Sequence, residues 1–277
     1  MVINTKKKNL LKLENNQKHI IKIDNLSIGY ASKKHINLIA SNLNINLKPG
    51  NLVCLLGKNG IGKSTLLRTL TKVQPALGGD IFINQKNLNE ISNSNLSKQL
   101  SVVLTEKLPE SSLSVFELIA LGRQPYTNWV GQLNTKDIKI IETALEETNT
   151  KHLMQAKYYQ LSDGQLQKVL IARALAQNTN IIILDEPTAH LDIHHTIETF
   201  TLLKKLAEKY GKTIIISTHE INLALQLADE LWLMTPKKFV TGKTNNLIEN
   251  NQLNNLFSSS LIHFDKEMKQ FTISKSN

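Results

Sequence analysis

From Ile20 onward, apolar and polar residues alternate in IIKIDNLSIGY and again in INLIASNLNINL. That period of two predicts a pair of half-buried antiparallel strands. Pro49 and Gly50 turn the chain into residues 52–56, LVCLL, an unbroken apolar run that predicts a fully buried strand. Leu66, Leu67, Leu70 and Val73 then recur at helical spacing, so the order here is strand, loop, helix. Gly78 and Gly79 lead into a short strand, DIFI, and SVVLT at 101–105 has the pattern of a buried one. Between about 106 and 160 the period changes. SVFELIALG and DIKIIETALEET carry apolar residues every three or four positions, predicting a helical insertion whose helices are separated by Pro125, Asn128 and Gly131.

Beyond the insertion, LSDGQLQKVLIARALAQ (161–177) opens with a capping box, Ser162 and Gln165, and places Leu166, Val169, Leu170 and Ala174 on one apolar face. IIILDEP (181–187) sets four large apolar residues ahead of two carboxylates, the pattern of a central parallel strand covered on both faces. A helix with Ile193, Ile197, Phe200, Leu203 and Leu206 on one side follows, then a buried strand, TIIIS (213–217). The remainder predicts one edge strand pair and a closing helix. Residues 1–18 are rich in Lys and Asn and read as a mobile tail, 19–260 as one domain carrying the insertion, and 261–277 as a second tail.

The loop between the first buried strand and its helix is GKNGIGKST, residues 57–65. Gly57, Gly60 and Gly62 let successive N–H groups turn inward, Asn59 lies at the tip, and Lys63 brings a point charge to the outer phosphates of a nucleotide. Ser64 places its hydroxyl on Mg²⁺, and Thr65 continues into the helix, whose N-terminus favours negative charge. The predicted fold is therefore α/β: a P-loop NTPase with a mainly parallel core sheet, an N-terminal antiparallel β subdomain and an inserted α-helical subdomain. Asp185 and Glu186 emerge at the carboxyl end of a central strand, where such sheets place their ligands. Neighbours on a strand point apart, so Asp185 is assigned to Mg²⁺ and Glu186 to orienting and deprotonating a water. His219 follows the next buried strand in the same way and reaches a phosphate. Ser162, Gly164 and Gln165 mark a second helix start able to hold an anion, and Tyr30, ending a strand, offers a ring for adenine. His194 and His195 invite a metal reading, but neighbouring side chains on a helix diverge and no third ligand is evident.

Composition narrows the picture in three respects. With 277 residues, 41% of them hydrophobic, the chain buries a full core. Its formal charge of +10 raises nucleic acid or an anionic membrane as partner, yet apart from Lys6, Lys7 and Lys8 the lysines are scattered, which serves solubility. The one cysteine, Cys54, sits in a buried strand as packing and suits a reducing compartment. No run approaches the roughly 20 apolar residues of a membrane span. The expected location is the cytosol, or a membrane surface through another protein.

Taken together, GKNGIGKST, LSDGQ, ILDEP, AHLD at 189–192 and STHE at 217–220 resemble the ATP-binding cassette family in order and spacing, over about residues 20 to 260. SVFELIALGRQPY and THEINLALQLADELWLM look like the ATPase subunits of importers for iron-siderophores, haem or cobalamin. The resemblance implies a head-to-tail dimer in which each ATP is held by the phosphate loop of one chain and by Ser162 and Gly164 of the other. Asp192 would shape the shared interface. The insertion would dock on permease helices, keeping the chain peripheral on the inner face of the cell membrane, out of contact with the cargo. Two positions depart from the family pattern: Asp163 stands where a glycine is customary, and Glu106 stands where a glutamine is, as a further Mg²⁺ ligand. Two other classes are set against this one. A soluble cassette acting on ribosomes or nucleic acid usually carries two cassettes or a long coiled coil, and a small-molecule P-loop kinase leaves LSDGQ without a purpose.

Overall fold

Strands made of consecutive apolar residues need cover on both faces, whereas alternating strands need it on one, and the two kinds separate in space. The computed structural model describes residues 19–32, 35–104, 111–256 and 262–273. In chain order these form β1 (Ile21–Ala31), β2 (Ile36–Leu47), β3 (Leu52–Leu56), α1 (Lys63–Leu70), β4 (Gly78–Ile83), β5 (Lys86–Asn87), α2 (Asn93–Leu96), β6 (Leu100–Val103), α3 (Val115–Ala120) and α4 (Thr135–Glu147). There follow α5 (Asp163–Ala176), β7 (Ile181–Asp185), α6 (Ile193–Tyr210), β8 (Thr213–Ser217), α7 (Ile221–Leu227), β9 (Glu230–Met234), β10 (Phe239–Lys243), α8 (Thr244–Glu249), β11 (Ile262–Asp265) and β12 (Gln270–Ile273). The chain divides into two units, Met1–Pro49 with Pro75–Ile91, and Gly50–Gln74 with Ser92–Asn277.

The first unit holds the alternating strands in an antiparallel sheet of order β2-β1-β4-β5. Ile21 and Ile23 of β1 are buried opposite Leu47 and Ile45, after which the register shifts and Leu26 and Ile28 take over the buried face. Asn25, at φ 48°, is the bulge that makes this change of parity possible. Gly79 of β4 passes so close to it, at φ 80°, that a Cβ there would run into the Asn25 carbonyl.

In the second unit the apolar runs form a six-stranded sheet of order β10-β9-β3-β8-β7-β6. Five strands are parallel and β10 is antiparallel at one edge, as the expected edge pair with β9. Every residue of β3, β7 and β8 is buried. The chain order reverses beside β3, so the carboxyl ends of β3, β7 and β8 share one edge, and Gly57, Glu186 and His219 all lie just past them.

The structure corrects three sequence expectations. Helix α1 stops at Leu70 because Lys72 takes φ 60°, leaving Val73 outside the helix and 65% exposed. The buried stripe of α6 runs through Thr196, Thr199, Phe200, Leu203 and Leu206, so Ile193 in the first turn and Ile197 on the rim are exposed. Helix α5 is buried on two faces, not one. Leu170, Ile171 and Ala174 join the core of the sheet, while Val169, Ala172 and Ala176 join Val115, Leu118, Ile119, Ile141 and Leu145 of the insertion. Within the expected C-terminal tail, β11 and β12 form a hairpin against α7, where the Phe271 N–H donates to Asn222 Oδ1 at 3.0 Å. No helix among the described residues is long and apolar enough to cross a membrane.

Two polar ties hold the insertion. Arg123, 4% exposed, donates from Nε to Asp137 Oδ1 at 2.9 Å and from a terminal nitrogen to the Ala176 carbonyl at 2.8 Å. Burial pushes the Asp137 carboxyl up, but the Asn134 N–H and the guanidinium outweigh it and hold the group below its usual range. At the end of α4, Glu147 Oε1 meets Lys209 Nζ at 2.7 Å and Oε2 meets Lys205 Nζ at 3.1 Å, both from α6. Lys209, then Tyr210, draw the Glu147 carboxyl down to about 2. Arg123→Met strands a buried carboxylate, and urea unfolding should show a loss of about 3 kcal/mol. An unchanged midpoint would overturn the role given to the pair. Because Glu147 titrates lower in the folded chain than its ordinary 4.5, its contribution is present above pH 4.5 and fades toward pH 2. Discounted for solvent screening it is about 1 to 2 kcal/mol. The stability advantage of the parent chain over Glu147→Gln should therefore shrink as pH falls from 4.5, and an advantage independent of pH would contradict this.

Candidate nucleotide site

The phosphate loop is shaped by what its glycines avoid. A Cβ on Gly57 would stand 2.6 Å from the Met234 carbonyl, and Gly60 and Gly62 adopt φ 74° and 111°. Gly62 is the N-cap of α1 and offers no side-chain cap, and the helix start it opens favours an anion. Lys58, Asn59 and Gly60 are exposed at the rim, Ser64 is half-buried, and Thr65 is buried. Lys63 is 4% exposed, and its Nζ donates to the Gly57 and Lys58 carbonyls at 3.1 and 3.4 Å. Burial lowers the pKa of this ammonium, and the carboxylates of Glu186 and Asp185 oppose that fall.

Beside the loop, β7 ends in Asp185, buried, and the chain leaves the sheet through Glu186 at φ 47°. This left-handed turn is uncommon for a residue with a long side chain and is fixed from β8. The Ser217 hydroxyl donates to Asp185 Oδ1 at 2.6 Å and accepts the Glu186 N–H at 2.9 Å. The two carboxylates then part company, as expected of neighbours at a strand end. Glu186 Oε1 lies 2.7 Å from His219 Nε2 and 3.5 Å from Lys63 Nζ, and Lys63 Nζ is 3.2 Å from the same ring nitrogen. One nitrogen cannot donate to Glu186 and accept from Lys63 at once. The shorter, charge-assisted contact assigns the proton to Nε2, pointing at the carboxylate.

Of the residues singled out in the sequence, the structure brings Lys63, Glu186 and His219 into mutual contact, with Asp185 and the glycines of the loop around them. Ser162 and Gln165 form the expected capping box, Ser162 N–H to Gln165 Oε1 at 3.0 Å and Gln165 N–H to Ser162 Oγ at 3.3 Å. Their hydrogen bonds are local to α5 and do not reach Lys63 or Glu186. Asp163 is exposed in the first turn, and Gly164 is buried under the ring of His195, into which a Cβ would run. Tyr30 belongs to the first unit, half exposed opposite Asn37 on β2. Glu106 lies outside the described residues. Ser217 was not singled out from the sequence. Its signal is a hydroxyl ending an otherwise apolar strand, and what it binds becomes visible only when β7 and β8 are adjacent.

The sequence model of the ABC transporter family matches residues 40–189. The chain is 38% identical over 206 residues to the achromobactin transport ATP-binding protein of Dickeya dadantii (strain 3937), covering 74% of this chain and 75% of that protein. It is also 38% identical over 207 residues to the petrobactin import ATP-binding protein of Bacillus anthracis, covering 75% of each. Among solved structures, an ATP-binding cassette in a dimeric, post-hydrolysis state bound to ADP and Pi superposes with a TM-score of 0.70 at 28% identity, covering 81% of this chain and 98% of that one. A phosphate loop at the carboxyl edge of a parallel sheet, a polarised carboxylate beside it and these likenesses agree: the chain belongs to the ABC transporter family, as one of its ATP-binding, ATP-hydrolysing cassette subunits.

Proposed function

We propose that this cassette powers a membrane importer for ferric-siderophore-type chelates, with Glu186 as its general base. The observation that carries the catalytic part is the contact of Glu186 Oε1 with His219 at 2.7 Å and Lys63 at 3.5 Å. In it the base, its orienting partner and the phosphate-binding cation already share one point. The achromobactin and petrobactin relatives support the cargo class.

Arriving phosphates offer Lys63 stronger acceptors than the carbonyls of its own loop, and its ammonium turns to the β- and γ-oxygens. Glu186 is thereby released from the lysine while His219 keeps its carboxylate aimed, and the free oxygen takes the proton of an attacking water. Ser217 holds Asp185 and the Glu186 backbone in fixed relation throughout. Ser64 and Asp185 are the residues that would hold Mg²⁺, which neutralises charge on the phosphates. The start of α1 and the loop from Gly57 to Gly62 cradle the phosphates.

A second copy, arranged head to tail, completes each site with Ser162 and Gly164. Among the described residues the hydrogen bonds of the Ser162 side chain stay within the start of α5, which supports a role across an interface, and a dimeric relative adds to it. Hydrolysis removes the phosphate that bridges the two copies and lets them part. The helical insertion docks on the permease, which places the cassette at the inner face of the membrane.

Glu186→Gln should bind ATP as the parent does and lose turnover by about 10² to 10⁴-fold. Cells carrying only this variant should fail to accumulate labelled ferric siderophore, and near-parental hydrolysis would remove Glu186 from the mechanism. Specific ATPase activity of the parent should also rise with protein concentration and fall when Ser162→Ala chains are mixed in. Activity indifferent to both would mean a site complete within one chain.

A further inference from the structure

Two neighbouring histidines on a helix normally diverge, and residues 194 and 195 need a third ligand before they make a site. The fold supplies one. Asp192 is the N-cap of α6, and one ligand atom each from Asp192, His194 and His195 lies within 4.8 Å of the other two. We propose that these three residues bind a borderline divalent transition-metal ion of the zinc type.

Capping alone does not account for the arrangement. A cap needs one carboxylate oxygen on one backbone N–H, and Asp192 Oδ1 provides that to the His195 N–H at 2.8 Å. In addition, the His195 ring folds back so that Nδ1 stands 2.9 Å from both Asp192 oxygens. Two donors of a tetrahedral zinc site stand ~3.4 Å apart, given bonds of about 2.0 to 2.1 Å. An ion replacing the shared proton therefore asks for a shift of a fraction of an ångström at this pair, and a somewhat larger swing of the exposed His194 ring. Glu198 Oε2, itself held by Lys168 at 2.8 Å, lies 3.7 Å from His194 Nδ1 and supplies the carboxylate that usually orients a ligating imidazole. Two imidazoles and one carboxylate suit zinc, nickel or copper and not the all-oxygen preference of magnesium or calcium. The start of a helix disfavours a cation, and the charge of Asp192 offsets this. On its other face the His195 ring lies over Gly164, so an ion here fixes the start of α6 against the start of α5.

The test uses the full chain, stripped of metal and free of nucleotide, titrated with Zn²⁺ against a chromophoric chelator. Its outcome is independent of the proposed ATPase mechanism. One zinc per chain is expected, with Co²⁺ giving a visible spectrum of N/O coordination and Mg²⁺ not competing. Asp192→Asn, which still caps the helix, His194→Gln and His195→Gln should each weaken binding about tenfold or more. Each variant should keep the parental thermal midpoint in the absence of metal and lose the rise in midpoint that zinc gives the parent. His152→Gln, elsewhere on the surface, should bind as the parent does. No binding at micromolar zinc, or binding as tight as the parent's in any of the three variants, overturns the assignment.

Discussion

A buried ammonium has to be paired, and the catalytic edge of this cassette is arranged around how Lys63 meets that requirement. Its own loop offers two carbonyls, which bring no charge, so the remaining balance comes from Glu186 across the strand edge. For Glu186 to reach, the chain must leave β7 in a left-handed turn, and for that turn to hold, Ser217 must receive its N–H. The positions of the loop, the two strand ends and His219 are thus mutually dependent. In the proposed mechanism nucleotide binding changes the partner of one group, Lys63, and the consequences fall on atoms already in place.

Much of this was legible in the chain because each signal is local. Consecutive apolar residues in LVCLL, IIIL and TIII identify strands covered on both faces, and alternation in the first unit identifies strands covered on one. Glycines in the phosphate loop are dictated by backbone geometry, which the spacing alone reveals. Ser162 and Gln165 close a capping box within four residues.

What the sequence withheld depends on contacts between distant segments. The stripe of α6 includes Thr196 and Thr199, because what faces the core is set by the packing of the whole helix and not by its apolar residues alone. Ser217 reads as one more strand residue until β7 is laid beside it. The divergence rule for His194 and His195 is correct for a bare helix. On α6 the His195 ring turns back onto Asp192, the residue that caps the helix, a contact the rule leaves out.

The double burial of α5 has a mechanical meaning. A helix packed on one side only can rock on its neighbour, since the free face moves through water at little cost. One packed on both sides, with close-packed density on each, transmits a push nearly undiminished. Leu170 and Ala174 fasten α5 to the sheet that bears Asp185, while Val169, Ala172 and Ala176 fasten it to the insertion. Its first turn carries Ser162 and Gly164. Any load applied to the insertion from outside arrives at those two residues by way of a single rigid rod.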